Sequence, residues 1–472
     1  MKTSNLICLT VGTLAFWACT AEDPTICLST QTAQINSAPV IYTIDTVSST
    51  VDLAKKIALE FPRQEKTRSK ADKEIKEILT INGNDGNPAM YVVNYQNDAG
   101  FIITSATQDY TPVLAFSDNG YFDVNNTEGN PVDVWIEQEK TNIEAVQAAA
   151  DSIKYKFRAQ WLPYVLMPAD LSQEPLTKGS YEDVRDFILE NSKEWVSQGY
   201  QPIALGAFKG QHYSYYISES LCNTIVREAE QLGTYEYGGV NSTSFVLLKQ
   251  SDQVTNVDPL TTSKWNQTVG FNTYIPNNYP VGCVGVAVGQ IMKYWKYPSQ
   301  FNWSQITDGA SDATASFLYQ VAKACNTKFG ENGSESYDSD AASALRSYGY
   351  SNAKIVDHDV KNARLNIPAR RPIYMRGSRL DDGNYIGHAW VCDGIKNTVS
   401  GYDIVLKVLQ SKTSFYTSNY GVVYNEAYPS TYLHMNWGYS GSYNAFYNDN
   451  NIALSNGRDY KYYRQDIINI YH

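Results

Sequence analysis

The sequence predicts an α+β protein of at least two domains, and three observations lead to that fold class. The 472 residues exceed the size of one ordinary hydrophobic core. A helical period, a series of short apolar strands and a second helical period follow one another between residues 47 and 157. Between residues 257 and 472, helical segments come first and strands follow. We therefore expect a small α+β domain and then a larger one with a helical half and an antiparallel sheet half.

The N-terminus has the pattern of an export signal. Met1–Ala18 carries one lysine and then an apolar run that ends at Trp17, too short to span a bilayer as a mature helix. Cys19 follows small Ala18, as the acylated cysteine does in bacterial lipoproteins, and residues 19–46 have the polar composition of a tether. We expect an exported protein, either an outer-membrane or cell-surface lipoprotein with a membrane tether at Cys19, or a secreted protein.

Residues 47–165 are predicted to form the first domain. Apolar residues at helical spacing predict a helix over Val47–Arg63, and a second helix is predicted over Val134–Phe157. Short β-branched runs bounded by Asn, Asp and Gly predict three antiparallel strands, at Met90–Tyr95, Gly100–Ala106 and Val113–Ser117.

Residues 166–256 have the weakest pattern, and we interpret them as a linker region. A helix is expected at Tyr181–Ser197, and strands at Tyr213–Ile217 and Ser244–Leu248. From residue 257 the pattern sharpens. Helices are predicted from Cys283, at Phe317–Cys325 and at Ala341–Tyr348. Strands are then predicted at Ile373–Met375, Gly387–Gly394, Tyr402–Leu409, Thr431–Trp437 and Tyr462–Tyr471.

Composition narrows the class of partner. A net charge of -11 without long acidic blocks argues against nucleic acid as a ligand. The seven cysteines are sparse and show no paired spacing, so we expect neither a disulfide framework nor a zinc site. No cofactor or metal is predicted.

Cys283 is the candidate nucleophile. It follows Gly282 at the predicted first turn of a helix, where free backbone N–H groups and the helix dipole favour a thiolate. Taken alone, a buried structural cysteine is the commoner explanation, because free cysteine is among the most buried residue types. The rest of the chain decides between the two.

The other members of a cysteine-based acyl-transfer site also have candidates. Of the five histidines, His388 is best placed, on a predicted strand after a glycine, and His434 is second. His358 lies between two aspartates and is expected in a solvated charge cluster. Asn436 can accept the imidazole N–H that does not face the sulfur, and Gln267 carries an amide that can donate to an oxyanion.

Four motifs resemble streptopain and the related papain-like peptidases of bacteria. They are Trp265-Asn266-Gln267, Gly282-Cys283-Val284 with Gln290-Ile291-Met292, Gly387-His388-Ala389 with Asp393-Gly394, and His434-Met435-Asn436-Trp437-Gly438. The resemblance implies a papain-like two-part catalytic domain at 257–472. It also implies an inhibitory propeptide domain at 47–165, with the maturation site in the 166–256 linker.

The resemblance assigns roles by position. It implies Cys283 as nucleophile, His388 as general base and acid, Asn436 as orienter of the imidazole and Gln267 as oxyanion donor. Gly387, Trp437 and Ser334 are implied at the substrate. Two departures are Gly285 and Gly289, which stand where relatives usually have alanine and are expected to loosen the helix by about 1 kcal/mol each.

The leading hypothesis is an exported zymogen of a papain-like cysteine endopeptidase. It acts on protein or peptide substrates, and its own prodomain inhibits it. Cys283 and His388 are expected to form a thiolate–imidazolium pair that lowers the cysteine pKa. The alternatives are a Cys-His-Asn amidase or transglutaminase, and a catalytically silent surface binding protein with the same fold.

Overall fold

The structure is a computed structural model. It describes residues 7–8, 41–44, 50–64, 73–127, 131–150, 154, 157, 159–161, 164, 166–168, 181–208, 219–232, 236–237, 240–241, 244–381, 384–399, 401–411, 414–424, 430–449 and 464–472. The predicted lipidation site Cys19 and most of the predicted signal and tether lie outside these residues. Among the helices that the structure describes, none combines the length and apolar character needed to cross a bilayer.

The chain divides into two compact units, each built from three segments. The larger unit comprises Ser48–Tyr164, Val254–Thr398 and Pro429–His472. The smaller unit comprises Met1–Val47, Val165–Gln253 and Val399–Tyr428. The predicted linker and part of the predicted peptidase domain therefore share one unit. The domain boundaries drawn from the sequence stay predictions.

The helices are numbered in chain order. They are α1 (Thr50–Gln64), α2 (Pro131–Gln147), α3 (Tyr181–Ser197), α4 (Leu205–Phe208), α5 (Glu219–Gln231), α6 (Cys283–Trp295), α7 (Asp312–Ala324), α8 (Asp338–Ser347) and α9 (Val360–Asn366).

The strands are numbered in the same way. They are β1 (Ile7–Cys8), β2 (Ile41–Ile44), β3 (Ile75–Asn82), β4 (Pro88–Tyr95), β5 (Phe101–Ser105), β6 (Val113–Ser117), β7 (Leu166–Pro168), β8 (Gln201–Ala204), β9 (Glu236–Tyr237), β10 (Val240–Asn241), β11 (Phe245–Gln250), β12 (Gln253–Val257), β13 (Lys354–Asp357), β14 (Ile373–Asp381), β15 (Asn384–Val399), β16 (Gly401–Ser411), β17 (Ser414–Tyr424), β18 (Ser430–Asn436), β19 (Ala445–Asn448) and β20 (Gln465–Ile468). The predicted α+β class is confirmed.

One continuous sheet runs through the larger unit. Its strand order is β13-β20-β14-β15-β18-β19-β6-β5-β4-β3, with β12 paired to β15. The predicted first domain contributes β3 to β6, and it joins the later part of the chain through the antiparallel pair of β6 and β19, where Phe116 lies opposite Phe446. Backbone hydrogen bonds therefore connect the N-terminal domain directly to the C-terminal sheet.

Helices pack on both faces of β14 and β15. On one face, α6, α7 and α8 form a core with Tyr374 and Val391. On the other face, α2 of the N-terminal domain forms a second core with Met375 and Trp390. Because side chains alternate along a strand, each of these two strands contributes to both cores.

The smaller unit is built around a four-stranded sheet of order β17-β16-β11-β8. Its β11 comes from the predicted linker, and β16 and β17 come from a hairpin between β15 and β18. Phe245 to Gln250 of β11 pair with Tyr402 to Lys407 of β16. The linker region thus has folded structure that its sequence pattern only partly indicated.

Candidate active site

The candidate nucleophile begins helix α6. Gly282 caps this helix with a φ of 93°, a conformation that residues other than glycine rarely adopt. A Cβ on Gly282 would also come within 3.3 Å of Ser334 Cβ. The sequence Gly-Cys therefore starts the helix at Cys283 and places the thiol at the positive end of the helix.

The thiol is half-buried and has polar partners. Burial raises the pKa of Cys283, and this effect exceeds the four that oppose it. The opposing groups are the backbone N–H of Ala389, the charge of Arg376, and the N–H groups of Val284 and Cys283 itself. The predicted lowering of the cysteine pKa is therefore wrong for this form of the chain, because burial outweighs the helix terminus.

Gln267 and Ser334 both lie beside the segment that leads into Cys283. The carbonyl of Gln267 accepts a hydrogen bond of 2.8 Å from the N–H of Val281, two residues before the nucleophile. The Ser334 hydroxyl donates to the carbonyl of Pro280 at 2.5 Å. The structure thus brings both residues next to the segment that precedes Cys283. The predicted roles of Gln267 as oxyanion donor and of Ser334 in substrate binding stay predictions.

His388 lies on the opposite face of the sheet from Cys283. Along β15, Ala389 belongs to the core that contains α6, whereas Trp390 belongs to the core that contains α2. His388 shares the face of Trp390, since residues two apart on a strand point the same way. The two rings are nearly parallel, with centroids 6.2 Å apart.

The surroundings of His388 keep its ring neutral. Its Nε2 lies 2.9 Å from the carbonyl oxygen of Trp437, which makes Nε2 the donor. Burial lowers the pKa of His388 to about 4, and the Trp437 carbonyl opposes this only in part. The predicted thiolate–imidazolium pair with Cys283 is therefore not formed here, because the ring lies buried on the other face beside Trp390 and Trp437.

Asn436 is buried at the end of β18 and faces the nucleophile helix. Its Oδ1 accepts from Gln290 Nε2 of α6 at 3.0 Å, and its Nδ2 donates to Thr261 Oγ1 and to the carbonyl of Ser263. Both polar atoms of the Asn436 amide, which was predicted to orient His388, are therefore bonded to other groups. In this form Asn436 fixes α6 to β18, and the predicted orienting contact is not made.

Trp437 and Gly387 differ in exposure. Trp437 is 2% exposed, and its Nε1 donates to the carbonyl of Tyr443 and the hydroxyl of Tyr447. Gly387, next to His388, is exposed. The substrate role predicted for Trp437 is therefore not available in this form, because the ring is covered.

Two other histidines have structural partners. His434 Nδ1 lies 2.6 Å from Asp393 Oδ1, and this carboxylate also accepts from Thr261. His358 is buried between Asp449 and Asp466, with both ring nitrogens 2.9 Å from a carboxylate oxygen. The expectation that His358 is solvated is wrong, since its partners are Asp449, directly after β19, and Asp466 of β20, rather than the aspartates adjacent to it in sequence.

Helix α2 covers the His388 face and was not predicted to carry site residues. Glu139 of α2 is 3% exposed and borders a cavity of ≈ 30 Å³ together with Asp449 and Arg464. Trp390 and Trp437 line the same cavity. The acidic residues of α2 resemble an ordinary solvated helix face in the sequence, so no local signal marks Glu139 as buried.

Two sequence families match the chain. Residues 46–143 match the Spi protease inhibitor family, and residues 265–311 and 299–447 match the Peptidase C10 family. The second match includes all four residues with predicted catalytic roles. A curated relative is the thiol protease/hemagglutinin PrtT of Porphyromonas gingivalis, 27% identical over 177 residues. That alignment spans 28% of this chain and 20% of the relative's length.

Two solved structures from Prevotella intermedia are also similar. A mutant fragment of prointerpain A shares 14% identity and has a TM-score of 0.44, covering 85% of this chain and 99% of the fragment. The active wild-type interpain A cysteine protease shares 20% identity and has a TM-score of 0.33, covering 46% of this chain and 95% of that structure.

Proposed function

Because the chain belongs to the Peptidase C10 family and carries an inhibitor domain of the Spi type, we propose that it is the zymogen of an exported cysteine endopeptidase. The observation that carries the proposal is the position of Cys283. It begins a helix within the matched peptidase residues, beside Gln267, and Gln290 of the same helix bonds Asn436 at the end of β18.

The proposed reaction is hydrolysis of a peptide bond in two acyl-transfer steps. Cys283 sulfur attacks the carbonyl carbon, and His388 gives its proton to the departing amine. The backbone N–H of Cys283 and the amide of Gln267 donate to the oxyanion, which is worth about 3 kcal/mol per donor in hydrolases. Water, activated by His388, then releases the acid and restores the thiol.

The proposed inhibition rests on the two faces of β14 and β15. The inhibitor domain adds strands to the sheet through β6 and β19, and its α2 packs on the face that holds His388. For His388 to meet Cys283, β15 must turn this side chain to the other face, as a one-residue change of strand register does. Removal of the inhibitor domain would release β15 for that change.

Export and lipid attachment complete the proposal and rest on the sequence of residues 1–46 alone. We propose that Cys19 is acylated after signal cleavage, since the apolar run ends at Trp17 and small Ala18 directly precedes the cysteine. A cysteine with several acyl chains holds a protein firmly at a membrane. The Cys19→Ser variant should then partition to the soluble fraction, and its continued full recovery in membranes would exclude the lipid.

The catalytic roles are tested by substitution of each residue and assay on a peptide library under reducing conditions. Cys283→Ala and His388→Ala should abolish turnover, whereas Asn436→Ala and Gln267→Ala should retain activity reduced by about 10²- to 10³-fold.

The control is Cys222→Ala, which removes a buried thiol of the smaller unit and should leave activity intact. Loss of turnover in His434→Ala but not in His388→Ala, with folding unchanged, would overturn the assignment of the base. Absence of peptide cleavage by the matured wild type would overturn the proposed function.

A further inference from the structure

A buried charged cluster lies on the Cys283 face of the sheet, outside the proposed catalytic set. Asp338, the first residue of α8, has a side chain 5% exposed. Its Oδ1 accepts from the Tyr374 hydroxyl at 2.8 Å, and its Oδ2 accepts from Arg376 Nη1 at 2.8 Å. Both carboxylate oxygens are thus occupied, and the guanidinium is held in one orientation.

The guanidinium of Arg376 lies against the backbone of Gly387. A Cβ on Gly387 would come within 3.2 Å of Arg376 Nη2 and 3.4 Å of its Nε. Glycine at this position therefore leaves room for the arginine. The Arg376 side chain is 26% exposed, so water screens its charge only in part.

The same guanidinium lies on the face of the sheet that carries the nucleophile. Arg376 on β14 is directly opposite Ala389 on β15, and the backbone N–H of Ala389 bonds the Cys283 sulfur. Helix α6 packs against β14. Arg376 therefore lies on the strand next to Ala389, whose amide contacts the thiol. His388 instead faces the other core.

We propose that Arg376 is a positioning residue that stabilises the thiolate of Cys283. Asp338 holds the guanidinium in place. In the full-length chain the guanidinium supplies positive charge on the Cys283 face of the sheet, where the His388 imidazole is absent. The idea rests on the proposed function only for the identity of the nucleophile. It implies that part of the thiolate's stabilisation exists before maturation and does not depend on the imidazole.

A test must separate the effect of Arg376 on the Cys283 thiol from the effects of the other charged and titratable groups near the sulfur. From β14 they are Arg376 and Tyr374, and from α8 the carboxylate of Asp338. Each of these belongs to the cluster itself. The imidazole on β15 faces away, so its removal isolates the effect of the arginine.

The test uses the full-length His388→Ala chain, which cannot process itself under the proposed mechanism and retains Cys283. Alkylation by iodoacetamide is followed by mass spectrometry of the Cys283 peptide across a pH series, with and without Arg376→Gln. We expect the midpoint of reactivity to rise by about one pH unit in Arg376→Gln. Arg376→Lys, which keeps the charge, should recover most of this shift.

The readout does not require peptide hydrolysis, so it separates this inference from the proposed function. An unchanged midpoint in Arg376→Gln, with or without a lower melting temperature, would show a merely structural ion pair and overturn the proposal. If Arg376→Gln does not fold, Arg376→Met keeps the length of the apolar stem and is judged by the same midpoint.

Discussion

At the scale of single residues, the burial of ionisable side chains separates this form of the chain from a working peptidase. Burial lowers the pKa of His388 to about 4 and raises that of Cys283. Both shifts favour a neutral pair. The sequence places these residues in the right order, but it cannot tell which face of β15 carries His388, because that depends on the helix packed there.

Glu139 is the residue through which the inhibitor domain should respond to pH. Its Oε2 is buried and has no hydrogen-bond partner among the residues that the structure describes. Burial, and to a smaller extent the charge of Asp449, raise its pKa from 4.5 to about 8. A raised carboxyl pKa means that its contribution to stability is complete below pH 4.5 and is lost as pH rises towards 8.

We predict that Glu139→Gln removes this loss, because glutamine resembles the protonated acid. In the Cys283→Ala background, both chains should have the same free energy of unfolding near pH 4.5. Near pH 8 the Glu139→Gln chain should be more stable by roughly 4 kcal/mol, since the pKa of Glu139 rises from 4.5 to about 8 on folding and one pKa unit corresponds to about 1.4 kcal/mol. Denaturant titrations across this range provide the measurement, and parallel curves for the two chains would contradict the prediction.

At the scale of elements, apolar periodicity located most segments that pack on a core. The helix predicted at Tyr181–Ser197 has those bounds in the structure, and the strand predicted at Val113–Ser117 likewise. β3, at Ile75–Asn82, was missed. It is an edge strand with alternating exposed residues, so lysine, glutamate and threonine dilute its apolar pattern.

Helix α6 shows where a sequence rule is overridden by packing. Gly285 and Gly289 were expected to loosen the helix, but both face α7 at close range. A Cβ on Gly289 would lie 2.9 Å from Leu318 Cδ2 and 3.2 Å from Trp265. The glycines therefore allow the two helices to approach, which helix propensity alone does not reveal.

Gly289→Ala is predicted to destabilise the protein despite the higher helix propensity of alanine. Overpacking of a core costs typically 1–3 kcal/mol, about the same as or more than the ~1 kcal/mol gained from propensity. Gly309→Ala is the matched control, since no atom of the described part of the chain lies within 4 Å of its added Cβ. Denaturant unfolding of both variants in the Cys283→Ala chain is the measurement. Greater stability in Gly289→Ala than in the control would contradict the close-packing argument.

At the scale of the whole molecule, the region predicted as a linker is the least well anticipated part. Its β11 lies between β8 and β16, and β16 follows about 150 residues later in the chain. No local sequence pattern can therefore reveal the pairing of β11 with β16. Val246 and Leu248 of β11 are buried in one core with Ile404 and Leu406 of β16. The predicted linker region is thus paired, through β11 and β16, with the hairpin that precedes β18 in the chain.

The pairing of β11 with β16 determines which part of the chain a maturation cut can release. Gln253–Asn256 is separated from β11 by two residues and belongs to β12, which pairs with β15. All four of its residues are exposed, so it is an accessible place for cleavage. A cut there severs the chain but not the six residue pairs between β11 and β16. We therefore predict that residues 181–250 stay with the mature enzyme as an accessory module, while the inhibitor domain is the part that leaves.

The prediction can be tested without any activity of the enzyme. Thrombin sites are introduced at residues 253–256 and between Pro168 and Tyr181 of the Cys283→Ala chain, and the cut protein is passed over a gel-filtration column. The 181–252 fragment should elute with residues 257–472 in native buffer, whether or not the inhibitor fragment also does, and should separate in denaturant. Leu406→Asp, which places a charge in the core shared by β11 and β16, should release it. Elution of the fragment apart from residues 257–472 in the parent protein would mean that the linker region belongs to the propeptide.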